Sequence, residues 1–175
     1  LGDVYKRQDQ LSKMSTEIPA GSRVMLLYGG GSIKKNGVYE RVKSALAGFN
    51  ISEYGGIEPN PSYETCMKAV EKIKAEKCDF IIAAGGGSVI DGAKFIAVAA
   101  LYKNGDPWDI LAKNIPVTAA LPLGAILTLP ATGTEMNGNS VISRKSSTEK
   151  LAFSSPLSYP KFSVLLPDAA GSLPK

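Results

Sequence analysis

The chain contains no histidine, and that absence excludes more than any other feature of its composition. A Ser-His triad, a histidine-ligated metal and a histidine acid or base are all impossible within these 175 residues. Whatever chemistry is done here uses a cofactor, other side chains, or groups supplied from elsewhere. Cysteine is scarce: Cys66 and Cys78 stand alone, outside any CxxC pair or ligand cluster, which fits a reduced, cytoplasmic setting. No apolar run reaches the roughly 18 residues of a membrane span and no signal peptide is visible, so no membrane partner is expected. Lysine and arginine leave a net charge of +4 but form no block with interleaved aromatics, so no nucleic-acid partner is expected either. A hydrophobic share of 44% and a charged share of 21% are those of a globular chain able to bury a core.

What the chain has in plenty is glycine after apolar runs. Residues 79–84 have the pattern of a strand buried on both faces. They lead into Gly85, Gly86, Gly87 and Ser88, after which Val89, Ile90, Ala93, Ile96, Ala97 and Ala100 recur at helical spacing. Such a unit suits an anion. Glycines let the backbone approach a ligand, Ser88 is placed to cap the helix, and the free N–H groups of the first turn attract phosphate. An ordinary strand-to-helix turn is the alternative, but three successive glycines exceed what it needs. A second unit precedes this one. Residues 23–28 read as a strand, followed by Gly29, Gly30, Gly31 and Ser32. A helix from about Val38 to Ala47 then buries Val38, Val42, Ala45 and Leu46 and stops at Gly48. Lys34 and Lys35 lie just beyond these glycines, with no acidic residue near them. In dinucleotide sites an acidic residue binds the ribose 2′-hydroxyl, whereas cations and small donors accommodate a 2′-phosphate. If the adenosine ribose lies here, the pair favours NADP over NAD, against the alternative of two solvated surface lysines.

Residues 51–54 predict a second strand. Two prolines stiffen residues 57–62, and Asn60, preceding Pro61, is expected in extended geometry. Ser62 is expected to cap a helix to about Lys77, with Met67, Val70, Ile73 and Lys74 on its buried side. Residues 108–111 predict a short helical turn, with Trp108 covering the core edge. Residues 119–130 predict another buried strand, whose prolines place it near a sheet edge or mark its ends. It empties into residues 131–140, a run of hydroxyls, amides and glycines suited to phosphate, ribose or carboxamide, or equally to a solvated connector. Residues 141–143 and 151–153 suggest a hairpin with Lys150 at its return, and residues 162–166 a last strand. Alternating strands and helices imply a Rossmann-like α/β fold, an open, mostly parallel sheet with helices on both faces. Ligands in that architecture sit at the carboxyl ends of the strands, so both glycine loops and residues 132–140 belong on one rim. Residues 1–8 fit nothing that follows and resemble a translated sequencing adapter, with a frayed native terminus as the alternative. They are read as a non-native leader, leaving residues 9–175 as the nucleotide-binding domain.

Five motifs in order carry a resemblance: YGGGSIKKNG (28–37), GGIEPNP (55–61), GGGSVIDGAKFIA (85–97), LTLPATGTEMN (127–137) and VISRKS (141–146). Together they resemble the iron-containing alcohol dehydrogenase family, and within it the butanol dehydrogenase-like, NADP-dependent aldehyde reductases. Neither glycine loop alone has the G-x-G-x-x-G spacing. The resemblance implies a dehydroquinate synthase-like N-terminal domain and a helical C-terminal domain, with the active site in the cleft between. It implies that Gly86, Gly87, Ser88 and Asp91 surround the cofactor diphosphate, and that Gly30, Gly31, Ser32 and Lys35 take the 2′-phosphate end. The same resemblance implies that Asn60 lies near the adenosine side, and that Thr128, Leu129, Thr132, Val141, Lys150 and Leu165 line the ribose and nicotinamide. The implied reaction is reversible hydride transfer between NADP and an aldehyde or primary alcohol. The family's divalent metal, iron or zinc, is held by an aspartate and histidines of the helical domain. That implies a chain truncated before the metal site, with no catalytic or metal-ligating residue of its own. Family N-terminal strands often pair subunits, which implies a homodimer. One departure is Leu166-Pro167, where the family has Asp-Pro. Two other readings are a glycerol dehydrogenase or dehydroquinate synthase relative, which Lys34 and Lys35 disfavour, and a non-catalytic nucleotide- or sugar-phosphate-binding domain.

Overall fold

The computed structural model describes residues 3–5, 8–128 and 139–166. In chain order its elements are β1 (Asp3–Tyr5), a 3-10 helix (Gln8–Glu17), β2 (Arg23–Tyr28), α1 (Ser32–Lys35), α2 (Val38–Ala45), β3 (Asn50–Tyr54) and α3 (Tyr63–Glu76). There follow β4 (Phe80–Gly85), α4 (Gly87–Ala99), α5 (Trp108–Ala112), β5 (Leu123–Leu127), β6 (Asn139–Arg144), β7 (Glu149–Ser154) and β8 (Phe162–Leu165). Six strands form one sheet in the order β1-β8-β5-β4-β2-β3, and every neighbouring pair is parallel. The antiparallel hairpin β6–β7 stands apart from it.

Parallel strands need crossovers, and the crossovers cover both faces. Successive side chains of a strand point to opposite sides, so β2 and β4 each feed two cores. Met25, Leu27, Ile81 and Ala83 pack beneath α3, α4 and α5. Val24, Leu26, Phe80, Ile82 and Ala84 pack against the 3-10 helix, α1 and α2. This is the expected open α/β sheet with helices on both faces. The strand predicted at residues 119–130 is shorter and lies inside the sheet, between β4 and β8. Pro122 immediately precedes it, and its carbonyl still accepts the N–H of Ile81 at 2.9 Å, so proline marks an end and not an edge. Asp3–Tyr5, which the sequence reading set outside the fold, pairs with Phe162–Val164 as an edge strand.

Local chemistry explains the helix boundaries. Ser62 caps α3 as expected, its side chain accepting from the N–H of Thr65 at 3.1 Å. The buried face of α3 is Cys66, Ala69, Val70 and Ile73, while Lys74 is exposed and Met67 only half-buried. The expected stripe was thus rotated by about one residue. Asn60 is not extended: its φ is 54°, in the left-handed region. Asparagine tolerates that conformation better than most residues, which lets the chain turn there despite the following proline.

Candidate functional site

Strands β2 and β4 are parallel neighbours, so the two glycine loops leave the sheet side by side. A Cβ on Gly29 would lie 3.4 Å from Cγ2 of Val89, in the first turn of α4, so the first loop starts close beside the helix that the second loop opens. The next strand end adjoins them, because the N–H of Thr128 donates to the carbonyl of Gly85 at 3.0 Å. Leu165 closes the row, paired with Leu127 across β5 and β8. Gly30, Gly31, Gly86, Gly87, Ser88, Thr128 and Leu165 therefore share the carboxyl rim. Leu129 and Thr132 lie outside the described residues.

The second loop is built for close approach. At Gly85 the φ is +154°, and a Cβ would come within 2.8 Å of Val89 Cγ2. Gly86 is the N-cap of α4, with φ −86°, ψ −173° and no side-chain cap bond. The expectation that Ser88 caps this helix is therefore corrected: Ser88 sits inside the first turn. The N–H groups of Val89 and Ile90 turn back to Gly86 O at 3.2 and 3.4 Å, while those of Gly87 and Ser88 have no acceptor within the helix. No acidic residue lies in the first turn, and a Cβ on Gly86 would meet nothing within 4 Å. An uncapped helix N-terminus with open space before it fits the diphosphate of a nucleotide.

The first loop differs. Gly31, with φ 106°, starts the four-residue helix α1, and Ser32, Lys34 and Lys35 on that helix are exposed. Lys34 Nζ stands over the rings of Tyr28 and Tyr39, 5.3 and 4.9 Å from their centroids. The structure also brings in an acidic residue that the sequence did not place here. Glu53 of β3 accepts from the hydroxyl of Tyr39 at 2.9 and 2.8 Å and pairs with Lys43 at 2.8 Å. Burial alone would raise the Glu53 carboxyl, but Lys43, Tyr39 and, more weakly, Lys34 hold it below its ordinary value. The reading of Lys34 as having no carboxylate nearby is corrected accordingly.

The hairpin reaches over from the other side. Lys150 Nζ lies 3.2 Å from Asn60 Oδ1, joining two expected site residues that are far apart in the chain. Val141 pairs with Ala152 and Ser143 with Lys150. Several contacts clamp the hairpin in place. The N–H of Ser143 donates to Pro61 O at 3.0 Å, and those of Lys145 and Ser146 donate to the Glu64 carboxylate at 3.0 and 3.2 Å. Lys145 also pairs with Glu58 at 3.3 Å. Burial pushes the Glu58 carboxyl up, yet the Ser62 N–H, the Thr65 hydroxyl and Lys145 together hold it below its ordinary value. The Arg144 guanidinium lies over Tyr63 and Trp108, at 5.0 and 5.5 Å, and 3.8 Å from Asp106.

Two contacts tie α4 to the start of the hairpin, and both were missed from sequence. Lys94 is fully buried, and its Nζ donates to Asn139 O at 3.0 Å. Ser140 Oγ donates to Asp91 O at 2.7 Å, so Asp91 contributes its backbone as well as its place in the glycine motif. A signal for Lys94 was available: a lone cation inside a helix that is apolar all round. Among the described residues, no group of three or more His, Cys, Asp or Glu is placed to hold a metal ion, so they do not fit a metal centre. No helix among them is long and apolar enough to cross a membrane.

A model of the family described as "Iron-containing alcohol dehydrogenase" matches residues 2–167. The chain belongs to that family. It is 49% identical over 166 residues to the NADPH-dependent aldehyde reductase YqhD of Escherichia coli, covering 94% of this chain and 43% of that protein. It is 48% identical to a Bacillus subtilis protein named "Probable NADH-dependent butanol dehydrogenase 1", covering 99% of this chain and 44% of the relative. The crystal structure of E. coli YqhD superposes with a TM-score of 0.95 at 47% identity, over 99% of this chain and 45% of that one. The chain thus spans less than half the length of these family members. They are oxidoreductases named for either NADPH or NADH, so a nicotinamide nucleotide is common to them and the choice between the two is not.

Proposed function

We propose that this chain is the cofactor-binding half of an NADP-dependent alcohol dehydrogenase or aldehyde reductase. The observation that carries the reading is the juxtaposition of the two glycine loops at the ends of neighbouring parallel strands, which puts Ser32 and Ser88 on one rim. The uncapped N-terminus of α4, with Gly86, Gly87, Ser88 and Asp91, takes the diphosphate. Gly30, Gly31, Ser32 and Lys35 take the 2′-phosphate, where exposed cations and a hydroxyl suit a dianion better than a ribose hydroxyl. Asn60 lies toward the adenosine side, while Thr128, Leu129, Thr132, Val141, Lys150 and Leu165 line the ribose and nicotinamide. Bound there, the nicotinamide carries the hydride to or from an aldehyde or primary alcohol, and this chain's task is to bind and orient it. The metal implied by the family has no ligand set among the described residues, and the reading assigns it to sequence beyond those matched here. Two copies pair through a sheet edge, and among the described residues the edge strands are β1 and β3.

The test is fluorescence titration of the chain with NADPH and NADH. Tighter binding of NADPH, with the difference abolished in a Ser32→Ala/Lys35→Ala variant, is the expected result. Equal affinity for both nucleotides removes the 2′-phosphate assignment.

A further inference from the structure

The hairpin β6–β7 belongs to no larger sheet among the described residues, so no ladder to the main sheet fixes its place. A two-stranded ribbon is marginal by itself in water and takes its position from what it packs on. Toward its turn it is held around the start of α3, Ser143 on Pro61 and Lys145 and Ser146 on Glu64. At its beginning it is held from inside α4. Lys94 Nζ donates to Asn139 O at 3.0 Å, and Ser140 Oγ donates to Asp91 O at 2.7 Å. Asp91 and Lys94 are three positions apart on one helix face, and they meet consecutive residues of β6.

A lysine is an unusual choice for this place. Its side chain is fully buried, in a helix whose other buried positions are Val, Ile, Phe, Ala and Gly. Burying an ammonium costs far more than burying an apolar side chain of similar length. A methionine would pack α4 without that cost, but it could not donate to the Asn139 carbonyl. Strand alternation carries the effect outward. Ser140 and Ile142 are fully buried, so Val141 between them faces the other side, where it is half-buried. Lys150 lies opposite Ser143 in the same ladder. The anchor on α4 therefore sets where Val141 and Lys150 stand relative to Gly86–Ser88, at the start of that same helix.

We propose that Lys94 and Ser140 are positioning residues for the cofactor. They lock the hairpin to the helix that opens the diphosphate site, so that the diphosphate and the nicotinamide half are held at one fixed spacing. They act through β6 and not by touching the nucleotide. The proposal rests on the reading that Val141 and Lys150 line the ribose and nicotinamide.

The test compares two ligands on the full chain by calorimetry. One is NADPH; the other is adenosine 2′-phosphate 5′-diphosphate, which lacks the nicotinamide and its ribose. Lys94→Met keeps the stem and removes the donor, whereas Ser140→Ala keeps the ammonium and removes the second tie. Each is expected to weaken NADPH about fivefold and to leave the shorter ligand within about twofold of the unmodified chain. If Lys94→Met does not fold, Ser140→Ala decides. Equal weakening of both ligands is the mark of a merely structural role and overturns the proposal. So does NADPH binding that is unchanged in either folded variant. Lys150→Ala tests the underlying reading separately: NADPH binding unchanged in that variant removes the reading, and the proposal with it. Selective weakening in Lys150→Ala without any in Lys94→Met or Ser140→Ala overturns the proposal alone.

Discussion

The same four residues, Gly-Gly-Gly-Ser, occur twice on this rim and are built in two different ways. At Gly85–Ser88 they open a 13-residue helix, of which ten residues are buried, on a strand buried at every position. At Gly29–Ser32 they open a four-residue helix whose side chains, Ile33 apart, lie exposed. The difference comes from sheet position. Strand β4 lies inside, between β2 and β5, and its helix is enclosed by the sheet, α3 and the hairpin. Strand β2 is interior as well, but its crossover runs to the edge strand β3, where charge can sit without being buried. The half-exposed loop ahead of the buried helix offers backbone N–H groups, which suit any diphosphate. The exposed loop offers side chains, which can distinguish one ribose from another.

The comparison is sharpened first at Lys94. Lys94→Ala removes a fully buried side chain and leaves the Asn139 carbonyl without that donor. A loss of about 3 kcal/mol of stability is expected, measured by urea denaturation. Lys34→Ala, the exposed counterpart, is expected to change stability by no more than about 0.5 kcal/mol. The glycines make the next contrast. Gly85→Ala places a methyl 2.8 Å from Val89 and is expected to cost about 2 kcal/mol, whereas at Gly30 a Cβ meets nothing within 4 Å. Gly30→Ala is therefore expected to leave the melting temperature nearly unchanged. Equal losses at the two glycines would remove the distinction between a packed loop and an open one.

The smallest effect concerns the hairpin clamp. The Glu64 and Glu58 carboxyls are both held below their ordinary value of 4.5; burial opposes this, and N–H donors and Lys145 outweigh it. Their folded values lie below the unfolded ones, so their contribution is present above pH 4.5 and is lost as pH falls through the folded values. Acid titration of the Lys145 and Ser146 amide shifts should show the clamp loosening in that lower window. Glu64→Gln is expected to remove that titration at the two amides while leaving the shifts of Gly86–Ser88 in place.

What the sequence revealed was local. The two glycine units, the Ser62 cap and the hairpin each rest on residues within a few positions of one another, and each was found. What it hid was distant pairing. Lys94 meets Asn139 from 45 positions away, and Lys150 meets Asn60 from 90. Glu53 looked remote from Lys34 until β3 was laid beside β2. Ser88 misled for a related reason: the sharp turn at Gly85 moves the cap back to Gly86, a backbone decision that a serine in the string does not report. Asn60 likewise followed its turn and not the proline rule.

The central claim is that the two loops form one clamp, general at one end and selective at the other. Backbone amide NMR during titration of the chain with NADPH and then NADH tests it most directly. The account predicts that both nucleotides perturb the amides of Gly86, Gly87 and Ser88, while NADPH alone strongly perturbs those of Gly31, Ser32 and Lys35. Perturbation of only one loop by NADPH, or identical patterns for the two nucleotides, would contradict it.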